Sequence, residues 1–316
     1  MKILFTNDVQ LNAPNNENLS VESFHKWQNS RLEKLSDMLD KARQAGARDI
    51  FLFGTLFGGP VVPEKTADGF FNVLKDNKDL DVYALLNLTE YRLISYRNDI
   101  PANYHMLCVQ GMETLEQDRL RISVEQGNTE IEAEGAKAVI AAAEEGKLQI
   151  NGNNIPSFEP TGFEDAEEHQ FGYLLWHTEQ VYGFELIIDQ KYSYESAELK
   201  IVPQDSEQDI IEIINDLSRQ WGNDTFLRIT VTGKTAFGLM LNAGALSNKL
   251  EKRQFAVQVF DHSVMDVDET MFENDISLRS EFVRLALHDD SLSEGERNRI
   301  ISCGWNALHG KEMTEE

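Results

Sequence analysis

Cysteine is nearly absent from this sequence. The chain has two, Cys108 and Cys303, far apart and neither in a CxxC pair nor next to histidine, which excludes a disulfide framework and a zinc site as organising elements and fits a reducing compartment. Cations are also scarce. The 29 Lys plus Arg stand against 54 Asp plus Glu, for a formal net charge of -25, and such a chain repels phosphate backbones at long range. Tight binding of the isolated protein to naked DNA is therefore not expected. No apolar run approaches the length needed to span a bilayer, and the start, "MKILFTNDVQL", lacks the basic and long apolar regions of a signal peptide. The expectation is a cytoplasmic protein without membrane insertion. There is no internal repeat and no low-complexity segment.

What the chain does have is length and a core. Its 316 residues, 41% hydrophobic and 9% aromatic, suffice for two folded domains. A buried strand at Lys2 to Thr6 is followed by a loop and then by helical spacing of Leu32, Leu35, Met38, Leu39 and Ala42 up to Gly46. Strand 49–53 follows at once, so the start reads as a βαβ unit. The pattern repeats through "PEKTADGFFNVLKDN" as helix and "LDVYALLNL" as strand. Shorter β-like runs at 105–109 and 119–125 precede an alanine-rich segment, 135–146, read as a helix, and then "KLQINGNNIP" and "FGYLLWHTEQ". Alternation of this kind argues for an α/β sandwich over residues 1–200. Residues 201–316 read as a smaller α+β domain, with a helix opening at Asp205 or Ser206, strands at "FLRITVTG" and "FAVQVFDHS" with a helix between them, and two amphipathic helices at the end. Phe70, Phe71, Met106 and Met112 read as core fillers.

The stretch "DIFLFGTLFGGP", residues 49–60, poses the functional question. A strand empties into a glycine-rich turn, the place where α/β enzymes present catalytic groups, yet no side chain of the turn can hold a cation or move a proton near neutral pH.

Taken together, the strand-terminal turns resemble the calcineurin-like metallophosphoesterases, and within them the SbcD-type DNA-repair exonuclease subunits. "MKILFTNDVQL" looks like the first metal turn, with Asp8 in the aspartate position and Gln10 where the family has histidine. "FGTLFGG" looks like the second, with Thr55 and Gly58 in the two aspartate positions. In "LLNLTEY", Asn87 matches the asparagine, while Leu88 and Thr89 stand for the histidine and aspartate that follow it. "LQINGNN" offers Asn151 for a histidine. "YLLWHTEQ" keeps His177 and puts Glu179 in the last histidine position. "LNAP", "SRLEKLSDML" and the tail also resemble that branch. The resemblance implies a four-layer α/β sandwich, two mixed sheets flanked by helices, with a capping domain.

A dinuclear phosphoesterase needs carboxylates and imidazoles around two cations roughly 3.5 to 4 Å apart. With Thr55 in the bridging position and Leu88 in place of the leaving-group histidine, the resemblance implies a degenerate centre. Asp8, Asn87, His177 and Glu179 would then hold at most one weakly bound divalent cation such as Mn²⁺. Each also has a plain structural reading: Asp8 a turn former or cap, Asn87 a turn residue, His177 a hydrogen-bonded core histidine, Glu179 an edge charge. The acidic run 164–169 reads as a solvated loop, and His25, His105, His169, His262, His288 and His309 show no ligand-like spacing.

The expected function is a degenerate SbcD-like subunit without phosphodiesterase activity. It would act as a scaffold that dimerises or engages a partner such as an SbcC-like ATPase. The alternative is an active metal-dependent phosphoesterase or nuclease with a rearranged site. For the two terminal helices, the stripes Leu278, Phe282, Leu285, Ala286 and Ile300, Ile301, Trp305, Leu308 either pack on the preceding module or form a partner contact anchored by Phe282 and Trp305.

Overall fold

The computed structural model of the protein describes residues 1–308 apart from 16, 18, 60, 118, 126, 143–146, 181–182, 240, 251–252, 268, 273–274 and 290, and the backbone alone at 168, 248, 269, 271, 294, 302 and 306. His309 lies outside the described residues. The chain divides into two compact units, Met1–Tyr192 and Ser193–Glu316. A boundary at 200 would cut through the strand Ser193–Ile201, whose pairing along its whole length is with a strand of the second unit. No helix among the described residues is long and apolar enough to cross a membrane.

The first unit opens with β1 (Lys2–Asn7), α1 (Val21–Ala45), β2 (Asp49–Phe53), α2 (Glu64–Asp76), β3 (Asp81–Leu86), α3 (Leu88–Ser95) and β4 (Tyr104–Cys108). A run of strands follows: β5 (Met112–Gln117), β6 (Leu120–Glu125), β7 (Asn128–Ala133), β8 (Ala136–Ala142), β9 (Leu148–Ile150) and β10 (Asn153–Asn154). The short α4 (Phe163–Glu168), β11 (Gly172–His177) and β12 (Phe184–Ile188) complete it. Six strands form the first sheet in the order β12-β11-β1-β2-β3-β4. Strands β1 to β4 are parallel, and β11 lies antiparallel to β1. The remaining six form a second sheet, β10-β9-β8-β7-β6-β5.

Each face of the first sheet has its own core. Leu4, Leu52 and Val82 meet Leu35, Met38 and Leu39 of α1, Phe70 and Phe71 of α2 and Ile94 of α3 on one side. On the other, Phe5, Phe51, Tyr83 and Trp176 meet Ile122, Ile131 and Ile140 of the second sheet. Alternate strand residues point to opposite faces, so near-continuous apolar strands such as "ILF" and "IFLF" are those covered on both. Helix α1 is also clamped by charge. Arg31 donates to the carbonyls of Val9 (2.9 Å) and Pro160 (3.0 Å), and Lys34 pairs with Glu159 at 2.7 Å, all of these side chains buried.

Four expectations are corrected here. The second sheet is antiparallel throughout, not mixed, because its strands are joined by short hairpins. It covers the first sheet directly, and its outer face carries exposed Arg121, Glu132 and Lys137, so the unit has three layers. The alanine-rich segment is not a helix: residues 136–142 are β8, residues 143–146 lying outside the described set. Glu134 and Gly135, at φ 50° and 85°, form a two-residue turn that pairs Ala133 with Ala136, and this hairpin overrides the helix preference of alanine. Met112 is exposed rather than core, since it sits on the edge strand β5.

The second unit contains β13 (Ser193–Ile201), α5 (Glu207–Ser218), β14 (Thr225–Thr235), α6 (Ala243–Lys249), β15 (Ala256–Asp261), β16 (Val264–Met265), a 3-10 turn Glu269–Phe272, α7 (Leu278–Leu287) and α8 (Glu294–Leu308). Strands β13, β14 and β15 are parallel. Helix α5 begins at Ser206, whose capping box with Asp209 satisfies the first free N–H groups. The terminal helices pack on this unit. Trp305 stands edge-on to Phe237 at 4.4 Å and joins Phe272, Val283 and Ile301 in one core, and Phe282 packs against Gly304, where any Cβ would strike its ring. The two residues expected as partner anchors are therefore half-buried against this unit's own core, while Leu278 and Leu285 of the same α7 stripe are exposed.

Candidate functional site

The carboxyl end of the first sheet brings together most of the turns singled out in the sequence. Beyond β1, Asp8 and Gln10 take left-handed backbone angles, φ 49° and 45°, which lay the chain alongside the loop after β2. Asp8 N–H donates to Phe53 O, Gln10 N–H to Thr55 O at 3.1 Å and Asn12 N–H to Phe57 O. The Asp8 carboxylate is spent within this pairing: Oδ1 accepts from Thr55 N–H at 2.9 Å and Oδ2 from the Asn7 amide at 2.7 Å. Gly54 is required, because φ is 69° and a Cβ would collide with the oxygens of Asn7 and Asp8.

A second carboxylate holds the same loop from beneath. Glu90, 2% exposed on α3, accepts from Leu56 N–H (3.0 Å), Phe57 N–H (2.8 Å) and Gly58 N–H (3.4 Å). Asn87 is the N-cap of α3: its Oδ1 accepts from Glu90 N–H at 3.0 Å, and its amide donates to Glu90 Oε2 at 3.2 Å. Leu88 points outward, 41% exposed. Thr55, Gly58 and Asn87 are thus parts of one hydrogen-bonded turn, with Asn87 serving Glu90.

His177 and Glu179 are elsewhere. Since β11 runs antiparallel to β1, His177 pairs with Lys2, roughly 20 Å from Asp8 at about 3.3 Å per residue. Its Nε2 lies 3.4 Å from Glu185, and Glu179 is bound to the amino terminus at 3.1 Å. Asn151 occupies the β9–β10 turn at φ 48°, its side chain bonded to the backbone of Val139 and Lys137. The expected set of Asp8, Asn87, His177 and Glu179 is therefore split between opposite ends of the sheet, a correction that follows from strand direction.

Two residues outside that set do adjoin Asp8. A pocket of about 360 Å³ is lined by Asn7, Asp8, Ser157, His169, Gln170 and Leu186 among others, and His169 Nδ1 lies 3.1 Å from Asp165. Burial pushes the Asp8 carboxyl above its usual range, the Thr55 N–H opposes this, and the like charge of Asp165 adds to it. Among the described residues the buried Asn7 Oδ1 has no hydrogen-bond partner. The 165–169 contact has a sequence signal, an Asp and a His four apart, and Glu90 had a stronger one, the spacing of Asn87 and Glu90 as cap and third helical residue.

A dinuclear metal centre does not fit this donor set. Among the described residues no group of three or more His, Cys, Asp or Glu is placed to hold a metal; Asp8 accepts from Thr55 N–H and the Asn7 amide, and Glu90 from three backbone N–H groups. No protein-family model matches the chain, and no curated protein matches it in sequence.

Proposed function

We propose that the protein is a catalytically degenerate, SbcD-like subunit of the calcineurin-like metallophosphoesterase type, whose three-layer first unit is a reduced form of that family's sandwich and which acts as a scaffold for a partner such as an SbcC-like ATPase or for a second copy. The carrying observation is the Glu90 staple. The turn that holds cations in the family is here held by a carboxylate with three backbone N–H groups, so its chemistry serves the fold. With Thr55 offering only a neutral hydroxyl in the bridging position and Gly58 and Leu88 offering no ligand atom, neither a bridged hydroxide nor a leaving-group imidazole can be assembled.

A second reading, an active phosphoesterase with a rearranged site, rests on Asp8 with His169 and Asp165 in place of His177 and Glu179. Hydrolysis of bis-p-nitrophenyl phosphate and of duplex DNA ends with Mn²⁺ separates the two. The degenerate reading expects no turnover above a protein-free control. Metal-dependent turnover that is lost in His169→Ala and kept in His177→Ala would replace it with the second.

A further inference from the structure

The amino end of the first sheet carries a hydrogen-bond chain that the functional reading above does not use. Asp49, Asp81, Tyr83 and His105 all project from the face that meets the second sheet, because β2, β3 and β4 are in register with Asp49 opposite Asp81 and Tyr83 opposite His105. Gln117, the last residue of β5, reaches back over them. Tyr83 Oη lies 2.7 Å from Gln117 Oε1 and 3.2 Å from Asp49 Oδ1. Gln117 Nε2 lies 3.2 Å from His105 Nε2, which is also 2.9 Å from Asp81 Oδ1. The Tyr83 ring is fully buried and stacks on His105 at 4.8 Å.

The chain has too few protons for every contact at once. A phenol has one hydrogen, yet Tyr83 faces two acceptor oxygens when Asp49 is ionised. Two arrangements resolve this. With a proton on Asp49, the carboxyl donates to Tyr83, Tyr83 donates to the Gln117 carbonyl, and the Gln117 amide N–H donates to a bare His105 Nε2, whose contact with Asp81 is given up as that carboxylate, 44% exposed, turns to solvent. With Asp49 ionised, Tyr83 donates to Asp49, and the Gln117 amide, turned by 180°, donates to Tyr83. Its oxygen then accepts from His105 Nε2–H, which also serves Asp81. We infer that Asp49, Tyr83, Gln117 and His105 form a proton-linked switch in which the charge on Asp49 sets the orientation of the Gln117 amide and, through it, the proton position on His105.

The surroundings suit such a device. Asp49 and Gln117 line an opening of about 880 Å³, so protons exchange with solvent at Asp49 without the core opening. Asp81 and His105 flank Asp49 from β3 and β4, and Arg48 precedes it. Lys2, the terminal amine of Met1, Arg119, Glu134 and Glu179 line the same opening. Burial, the first cause, holds the Asp49 carboxyl at about 6, and the like charge of Asp81 pushes in the same direction, against the Tyr83 hydrogen bond. The change therefore falls within a mildly acidic range. Gln117 belongs to the second sheet and the other members to the first, so the two protonation states differ in how the sheets are latched.

The test uses the full-length protein at pH 8, with histidine side chains labelled with ¹⁵N and the His105 signal assigned by His105→Gln. The wild type is expected to carry the Nε2–H tautomer at His105. Asp49→Asn mimics the protonated carboxyl, since its amide donates permanently to Tyr83, and is expected to move His105 to the Nδ1–H tautomer. Adding Gln117→Met, at an exposed position that does not threaten folding, is expected to return His105 to Nε2–H by breaking the chain. An unchanged His105 tautomer in Asp49→Asn overturns the proposal, as does a shift that persists when Gln117→Met is added.

Discussion

Glu90 at the carboxyl end of the first sheet and Asp49 at its amino end are both carboxylates set against β-strand termini, but their hydrogen-bond donors differ in kind. Glu90 receives backbone N–H groups, which are fixed in number and direction by the loop they belong to. Asp49 faces a phenol whose single hydrogen can point either way. Fixed donors turn the carboxylate into a structural staple. Movable donors leave two proton arrangements close in energy, which is what a titrating switch requires. One sheet thus has an end locked by its carboxylates and an end poised to change.

The largest test of this contrast is Glu90→Ala. It strands three backbone donors in a dry loop and removes the partner of Asn87, so urea unfolding should show a loss of roughly 3–5 kcal/mol. Glu90→Gln should lose less, because an amide oxygen still accepts. A loss below about 1 kcal/mol for Glu90→Ala would mean that the loop is held by its pairing with residues 8–12 alone.

A smaller effect is expected at Asp49, and its sign is the informative part. The folded carboxyl titrates at about 6, above the ordinary value of about 3.9, so the folded state binds the proton more tightly. The native-state penalty for ionisation is fully present above pH 6 and is relieved as pH falls toward 4. Asp49→Asn should therefore be more stable than the wild type at pH 8, by about 1 kcal/mol once solvent access is allowed for, with the gap closing by pH 4. Thermal midpoints of both proteins across this range check it; a gap that widens on acidification would reverse the assignment.

The smallest effect separates the two ends by what is not shared. His177→Gln removes a 3.4 Å contact whose Glu185 partner is 61% exposed, and should change stability by no more than about 0.5 kcal/mol. It should also leave Mn²⁺ binding by titration calorimetry unaltered. A change in metal affinity would bring His177 back toward Asp8 against the strand register.

Much of the first unit is legible in the residues. The apolar strands at 2–6, 49–53 and 81–86 and the helical stripe from Leu32 to Ala42 follow from periodicity, because burial on two faces or on one leaves different patterns. The segment 136–142 was not legible in the same way, since alanine suits a helix locally and only the Glu134–Gly135 turn, with β7 alongside, makes a strand the better burial. The terminal stripes were legible as amphipathic, and Gly304 beneath Phe282 hints at close helix packing, but the side facing the unit rather than solvent is chosen by volume complementarity that no single helix encodes.

By itself the sequence determined that this is an acidic, cysteine-poor α/β chain and that the glycine turn at 54–59 carries no acidic or basic side chain. It also supplied the pieces of both hydrogen-bond systems: Asn87 and Glu90 at cap spacing, and Asp49, Tyr83 and His105 on neighbouring strands. Tertiary structure alone decided how they are used. A strand's direction is not written in its own residues, because an alternating or apolar run pairs equally well either way; only docking of β11 antiparallel to β1 carries His177 away from Asp8. In the same way, only the packing of the second sheet brings Gln117 to Tyr83 across 34 residues of chain.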